Sequence, residues 1–188
     1  MLIAVPFVAG LLVWLMPRQS LAMQRGIASI AAIANVVLAV IGLVSLTPVA
    51  GYQLVDSMAW FPQIGLKYAV GLDGINVWMV VIAALLTPLA IFAARTQKGD
   101  NQQGFYALLL LVSASTIGAF VAIDLLLFYV FFELTLIPTA ILIAMYGVGE
   151  RKAAAIKFFV YPFVGSIFLL VSIAGIVILA WQQTGVWS

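Results

Sequence analysis

The sequence is dominated by long apolar runs that contain almost no charged residues. A helix needs about 20 apolar residues to cross the hydrocarbon core of a bilayer. Charged residues make up 7% of the chain, against about 25% in a typical soluble domain. We therefore predict an all-α, polytopic membrane protein with about six transmembrane helices in a single transmembrane domain, residues 1–188. The predicted helices lie at about 2–16, 27–46, 75–94, 105–123, 125–146 and 153–181.

Two connections between the predicted helices carry distinctive residues. The apolar signal from 105 to 146 is too long for one crossing, and Asp124 divides it as a turn residue that caps the fifth helix. Residues 47–74 are rich in glycine and aromatic side chains, which predicts an ordered interfacial loop, with a β-hairpin as one form of it. Asp73, near the end of this loop, is predicted to form a turn or to cap the third helix.

The distribution of lysine and arginine predicts the orientation of the chain. Cytoplasmic loops of membrane proteins carry an excess of these residues. One side holds Lys67, whereas the other side holds Arg18, Arg25, Arg95, Lys98, Arg151, Lys152 and Lys157. Both ends of the chain are therefore predicted on the outer, periplasmic side. We expect the cell inner membrane, since nothing in the sequence requires an organelle.

The composition excludes several kinds of chemistry. The chain has no cysteine and no histidine, so it offers no thiolate ligand for a metal or an iron–sulfur cluster and no histidine ligand for haem or zinc. Its few cations are scattered in pairs, which argues against nucleic acid as a partner. The run from Gly147 to Glu150 does not fit a dinucleotide-binding loop. We predict no cofactor and no metal on this chain.

Glu133 is an ionisable residue deep inside a predicted helix. It lies eight residues after Leu125, which is about 12 Å into the membrane core. Insertion of an acidic residue at such a depth costs about 2.5–3.5 kcal/mol, so the carboxyl group is expected to face protein or water. Such an acid either carries protons or is a permanently protonated hydrogen-bonding group. Tyr129, one turn earlier on the same face, and Pro138, which leaves the Leu134 carbonyl without its donor, favour the first.

Lys157 is the second candidate for proton transfer. It lies about one turn into the sixth predicted helix, with Tyr161 four residues further on and Pro162 next. From position alone, two interpretations are equally open. The lysine takes part in a proton path, or its long side chain extends back to the lipid headgroups.

Three segments together resemble a known family. They are residues 71–75 (GLDGI), residues 124–138 (DLLLFYVFFELTLIP) and residues 155–161 (AIKFFVY). In order and spacing they are similar to the antiporter-like proton-pumping subunits of respiratory complex I. The nearest resemblance is to the M-type subunit of bacterial NADH:quinone oxidoreductase, which is subunit 4 of the mitochondrial NADH dehydrogenase.

This resemblance implies more than the composition does. Family members contain about fourteen helices with two inverted five-helix repeats, a common plan among transporters. The chain would be the N-terminal part of such a subunit, without the lysine-bearing seventh helix and the second repeat. Glu133 matches the membrane glutamate of the family, which pairs with that lysine, and Lys157 matches a lysine found in many members. The Tyr161–Pro162 pair departs from the tyrosine–threonine pair that is usual in the family.

The resulting functional prediction is a proton-translocating membrane-arm subunit of NADH:quinone oxidoreductase, which is an enzyme only as part of that assembly. NADH, FMN, iron–sulfur clusters and quinone would then be bound by partner subunits, and this chain would contact the lipid bilayer and other membrane-arm subunits. One alternative is a subunit of a multisubunit cation/proton antiporter or of a membrane-bound energy-conserving hydrogenase. Another is a structural scaffold, in which Glu133 carries no proton.

Overall fold

The computed structural model describes residues 1–17, 20–61, 66–94 and 101–184, so Arg18, Arg95 and Lys98 of the orientation argument lie outside the described residues. Within these ranges the chain forms six helices and one two-stranded sheet. The elements are α1 (Ala4–Leu15), α2 (Leu21–Ser45), β1 (Gln53–Phe61), β2 (Leu66–Leu72), α3 (Asn76–Ala93), α4 (Gln102–Val121), α5 (Leu125–Tyr146) and α6 (Arg151–Thr184). The predicted helical membrane fold is confirmed.

Five of these helices, α2 to α6, are long and apolar enough to cross a membrane. The first helix is shorter, with 12 residues. At a rise of about 1.5 Å per residue it spans about 18 Å of a hydrocarbon core about 30 Å thick. The first apolar run therefore forms a helix that is too short to span the core alone.

The second helix begins at Leu21, before the predicted start at residue 27. Its first turns include Arg25, whose side chain donates hydrogen bonds to the Tyr106 hydroxyl and to the side-chain carbonyl of Gln102. A charged residue is tolerated inside a helix when its donors have partners. The helix therefore extends beyond the uncharged run that hydropathy identifies.

The fourth helix is at the centre of the bundle. It packs against α1, α2, α3 and α5. Small residues allow this close packing. A Cβ atom on Gly118 of α4 would overlap with the ring of Phe131 of α5, and a Cβ atom on Gly10 of α1 would press against Ala107 of α4.

Gln103 of α4 supplies hydrogen bonds that α1 lacks at its C-terminal end. The last carbonyl groups of a helix have no partner within the helix itself. The Nε2 atom of Gln103 lies 3.0, 2.7 and 2.6 Å from the carbonyl oxygens of Val13, Trp14 and Met16. This buried amide therefore ties the short first helix to the central helix.

The buried apolar side chains form two clusters that follow each other along the helix axes. The Ile91 cluster comprises Ala9, Val13, Ala28, Ala31, Ala32, Ile91, Ala94, Tyr106, Ala107 and Leu110. The Ile117 cluster comprises Ala39, Leu72, Val77, Val80, Ala84, Ile117 and Val121. On α2, α3 and α4 the two clusters occupy opposite parts of each helix.

The predicted β-hairpin is present between α2 and α3. Its strands are antiparallel, and Asp56 of β1 pairs with Val70 of β2. The hairpin is attached to the connection between α4 and α5, because the Ile123 N–H donates to the Ala69 carbonyl at 2.9 Å. Leu72, at the end of β2, is buried in the Ile117 cluster. The hairpin therefore packs against the end of the helical bundle.

Asp56 and Tyr68 lie diagonally across the hairpin on the same face. Burial raises the pKa of the Tyr68 phenol above its ordinary value of 10.0, and the Asp56 carboxylate raises this pKa further. The folded protein therefore favours the protonated phenol. This contribution to stability is complete below the pKa of an unfolded tyrosine and is lost as the pH rises through the pKa of the folded one.

We expect Gly118→Ala to destabilise the protein by about 1–3 kcal/mol, because the added methyl group overlaps with the Phe131 ring in a closely packed interface. The matched control is Gly165→Ala on α6, where an added Cβ meets no atom within 4 Å. Replacement of glycine inside a helix by alanine stabilises by about 0.5–1 kcal/mol. The midpoint of thermal unfolding in detergent should fall for the first variant only. Equal midpoints would contradict the packing argument.

Candidate functional site

The fifth helix carries Glu133, and Asp124 determines where this helix begins. One carboxylate oxygen of Asp124 accepts hydrogen bonds from the N–H groups of Leu126 at 3.0 Å and Leu127 at 2.9 Å. These N–H groups belong to the first turn and have no partner within the helix. Asp124 is therefore the N-cap of α5, and Glu133 follows two and a half turns later.

The backbone hydrogen bonds of α5 are irregular in the turns that follow Glu133. Pro138 lies inside the helix and has no N–H, so the Leu134 carbonyl lacks its usual donor. The hydroxyl groups of Thr135 and Thr139 donate to carbonyl oxygens four residues earlier, at 2.9 and 2.7 Å. Bonds of this kind weaken and bend helices slightly. The acid is therefore followed by a segment of the helix with reduced backbone hydrogen bonding.

Glu133 itself is half-buried, and its Oε1 atom is buried without a hydrogen-bond partner among the described residues. At about 1.5 Å per residue the side chain lies about 12 Å from the start of α5. A carboxyl oxygen without a partner is costly at this depth, since no bulk water compensates for it.

Glu133 lies at the margin of a helix interface. Leu136, three residues further on, is buried, whereas Ile137, four residues further on, is half exposed. Residues three and four apart on a helix are neighbours on its surface. Tyr129 shares this face one turn earlier and is half-buried. The acid therefore lies between a protein contact and a surface that the described residues leave open.

Lys157 and Tyr161 lie on the other side of the neighbouring helix. The sixth helix packs mainly on α5, and its buried residues Ala155, Ser166 and Ile173 repeat at helical spacing along one face. Lys157 follows Ala155 by two residues, which is about 200° around the helix. Lys157 is exposed, and Tyr161 has 73% of its surface exposed. Both side chains point away from α5.

Glu133 and Lys157 also lie at different depths. The two helices are joined by a four-residue connection, residues 147–150, and run antiparallel. Glu133 lies about 20 Å from the end of α5 at Tyr146, and Lys157 lies about 9 Å from the start of α6 at Arg151. The two candidates are therefore about 10 Å apart along the helix axes and on different faces, so they do not form a pair.

Asp73 forms a capping pair with Asn76 at the start of α3. Its carboxylate accepts hydrogen bonds from the N–H groups of Ile75 at 2.8 Å and Asn76 at 2.7 Å, and the Asn76 side chain accepts from the Asp73 N–H at 2.7 Å. The Asn76 amide also donates to the carbonyl groups of Gly71 and Phe120, each at 3.1 Å. Asp73 and Asp124 therefore hold in place the connections that precede α3 and α5.

The described part of the chain contains no group of three or more histidine, cysteine, aspartate or glutamate side chains that could hold a metal ion. The chemistry that this arrangement supports is proton binding at one carboxyl group.

Pro138, five residues after Glu133, borders an apolar groove of about 350 Å³ between α1, α4 and α5.

Sequence reasoning missed two polar residues inside the bundle, Asn35 and Thr87. Asn35 of α2 is buried, and neither polar atom of its side chain has a hydrogen-bond partner among the described residues. The hydroxyl groups of Thr87 of α3 and Ser113 of α4 form a hydrogen bond of 2.9 Å in the buried interior. The signal was present in the sequence, since each is a polar residue inside an apolar run.

Comparisons with known proteins agree on one family. Residues 122–185 match the family described as NADH:quinone oxidoreductase/Mrp antiporter, transmembrane. The chain is 33% identical over 187 residues to the F(420)H(2) dehydrogenase subunit M of Methanosarcina mazei. It is 44% identical over 126 residues, or 67% of its length, to the NAD(P)H-quinone oxidoreductase chain 4 2 of Trichodesmium erythraeum. It is also similar to a chain of respiratory complex I from Thermus thermophilus, with a TM-score of 0.80 and 29% identity over 98% of its length.

The chain spans only part of each of these proteins. It covers 37% of the Methanosarcina protein, 22% of the Trichodesmium protein and 36% of the Thermus chain. The likeness to the Thermus chain extends over nearly all of this chain, including the helices that precede residue 122.

We expect Asp124→Ala to destabilise the protein by about 0.5–2 kcal/mol, because the first N–H groups of α5 lose their acceptor. Asp124→Asn keeps a side-chain oxygen at the same position, so its stability should be close to that of the unsubstituted protein. Amide hydrogen exchange at residues 126 and 127 measures the effect. If exchange there is unchanged in the alanine variant, Asp124 does not cap the helix in the membrane.

Proposed function

Because the chain belongs to the antiporter-like membrane subunits of the NADH:quinone oxidoreductase and Mrp antiporter family, we propose that it translocates protons as part of a respiratory membrane complex. The specific proposal is a membrane-arm subunit that couples quinone reduction, performed by other subunits, to proton movement through Glu133. The family assignment supports a place in a respiratory membrane complex. The geometry around Glu133 supports this residue as the proton carrier.

The observation that supports the proposal is the Oε1 atom of Glu133, which is buried and has no hydrogen-bond partner in the part of the chain that the structure describes. A carboxyl group with no fixed partner can gain a proton, or a nearby cation, without first breaking a protein hydrogen bond. The open surface beside Ile137 leaves room for a further segment to approach the acid. The missing hydrogen bond at Pro138 gives the same region a polar carbonyl group at membrane depth.

The proposed mechanism depends on whether a positive charge lies beside the Glu133 carboxyl group. When a cation lies beside Glu133 the ionised carboxylate is favoured, and when the cation moves away the protonated acid is favoured. Alternation between the two states moves one proton per cycle if each state is open to a different side. Lys157 is not that cation, because it lies on the far face of α6. The resemblance implies a lysine of a further helix in this role.

The proposal also covers partners and location. NADH, FMN, iron–sulfur clusters and quinone would be bound by other subunits, since this chain has neither cysteine nor histidine to ligate iron. The partners would be other membrane-arm subunits and the lipid bilayer. The cell inner membrane is proposed because nothing in the sequence requires an organelle. If the first apolar run also crosses the membrane, the excess of lysine and arginine on one side puts both ends of the chain on the periplasmic side.

A second candidate function is supported by the relatives themselves. The similarity that extends over 99% of the chain is to a subunit of an F(420)H(2) dehydrogenase, and the family description includes Mrp antiporters. Proton movement through Glu133 would then be driven by a different electron donor or by exchange for another cation. Proton uptake into vesicles with NADH, with reduced F420, or with a sodium gradient and no donor distinguishes the three.

We expect Glu133→Gln to abolish at least nine-tenths of proton pumping while the complex still assembles. Glutamine keeps the size and hydrogen bonding of the side chain but cannot release a proton. Pumping and quinone reduction would be measured together in sealed vesicles that contain the assembled complex.

The control is Glu150→Gln, which removes the chain's other glutamate at an exposed position. This variant should pump at the unsubstituted rate. If Glu133→Gln also pumps normally, the acid is a structural group and the scaffold interpretation replaces this proposal.

We propose that Lys157 contributes to proton pumping without pairing with Glu133, since it lies on the face of α6 that is turned away from α5. Lys157→Gln should therefore lower pumping independently of Glu133→Asp, so the double variant should retain the product of the two single activities within about twofold. Lys152→Gln, at the exposed start of α6, is the control for loss of charge. A double variant no worse than the stronger single variant would mean that the two residues act as a pair.

A further inference from the structure

A layer of polar side chains separates the two apolar clusters of the bundle. On α2, Asn35 lies between Ala32 of the Ile91 cluster and Ala39 of the Ile117 cluster. The same spacing, three residues after one cluster member and four before the next, recurs on α3 and α4. There the polar residues are Thr87, between Ala84 and Ile91, and Ser113, between Leu110 and Ile117.

This layer lies near the middle of the membrane. Asn35 precedes the end of α2 at Ser45 by ten residues, which is about 15 Å, half of a hydrocarbon core about 30 Å thick. Ser113 precedes the end of α4 by eight residues, so it lies at nearly the same depth. All three side chains are buried.

Two members of the layer satisfy each other. The Thr87 and Ser113 hydroxyl oxygens are 2.9 Å apart, and the Thr87 hydroxyl also lies 3.2 Å from the Ala83 carbonyl. The two hydroxyl protons satisfy both contacts when Ser113 donates to Thr87 and Thr87 donates to the Ala83 carbonyl group. Neither hydroxyl requires Asn35 as its partner.

Asn35 is different, because its side chain has no partner at all among the described residues. It is 1% exposed, and both Nδ2 and Oδ1 are buried without a hydrogen bond. Its neighbours on the same face, Ala32 and Ala39, pack into clusters that also contain Ile91 and Ala84 of α3. Asn35 therefore lies in the buried interior where α2 packs against α3 and α4, at the level between Ala84 and Ile91.

The facing part of α3 offers a further unsatisfied group. Pro88 lies inside α3 and has no N–H, so the carbonyl group of Ala84 lacks its helical donor. Ala84 is fully buried. Helix carbonyl groups point towards the C-terminal end, which here is towards the level of Thr87 and Asn35. The Asn35 amide and the Ala84 carbonyl group therefore lie at the same level of the buried interior.

We propose that this layer is a binding site for an ordered water molecule, held by the Asn35 side chain and the Ala84 carbonyl group. Water donates and accepts, so one molecule satisfies Nδ2, Oδ1 and the carbonyl group with about three hydrogen bonds, the usual number for buried water. A metal cation does not fit, because the Nδ2 donor would face it and the layer carries no charge. The site is independent of Glu133, since α5 contributes no residue to it.

Asparagine-selective ¹⁵N labelling tests this proposal on the full chain in lipid bilayers. The sequence contains three asparagines, Asn35, Asn76 and Asn101, so three side-chain amide signals are expected. Magnetisation would be transferred from water protons to these amides by solid-state NMR. The Asn35 side-chain signal should build up severalfold faster than the Asn35 backbone N–H signal, which is at the same depth but is bonded within α2. Loss of one signal in Asn35→Ser assigns it.

Two results would overturn the proposal. The first is a side-chain build-up no faster than that of the backbone N–H, because the amide would then have a protein partner or none. The second is a shift of the Asn35 signal when choline chloride is replaced by sodium chloride, because the site would then hold a cation. The measurement uses the unsubstituted protein, so it does not depend on the folding of a variant. If Asn35→Ser fails to fold, Asn76→Ser and Asn101→Ser assign the signal by elimination.

Discussion

The structure depends on one constraint, which is that a polar group inside the hydrocarbon core has no bulk water to bind. Backbone groups meet this constraint by forming helices, and side chains meet it only through specific contacts. Gln103 ties the end of α1 to α4, and Asp124 caps α5. Thr87 and Ser113 bind each other between α3 and α4. The position of each of these polar residues is therefore explained by its partner, and a buried polar residue without a partner requires a separate explanation.

Among the described residues, Ser29, Asn35 and Glu133 each have a buried side-chain atom without a hydrogen-bond partner and make no other side-chain hydrogen bond. Glu133 and Asn35 differ in their surroundings. Glu133 is half-buried at the margin of an interface, beside the exposed Ile137, so a further segment or water can reach it. Asn35 is enclosed between α2 and α3 among alanine side chains. The first position suits a group that changes its protonation during a cycle. The second suits a group that keeps one small ligand in place.

Much of this fold could be predicted from the sequence. Hydropathy located the helices, because apolar runs of about 20 residues have few other uses. The turn at Asp124 and the β-hairpin could also be predicted, since capping residues and glycine-rich segments act locally. The start of α2 was placed too late, because Arg25 interrupts the apolar run. Its side chain bonds to residues of α4 that are distant in sequence, and local patterns do not contain that information.

The sequence by itself determined the membrane class, the apolar helices, their capping residues and the family. These features depend on residue type and on neighbours within a few positions. Only the tertiary structure decided that Lys157 points away from Glu133 and that α4 is central. It also decided that Asn35, between two apolar clusters, has no side-chain partner within the described ranges. The physical reason is that lipid-facing and protein-facing sides of a membrane helix are equally apolar. Hydropathy therefore does not report which helices are neighbours, and only packing distinguishes a residue that faces lipid from one that faces another helix.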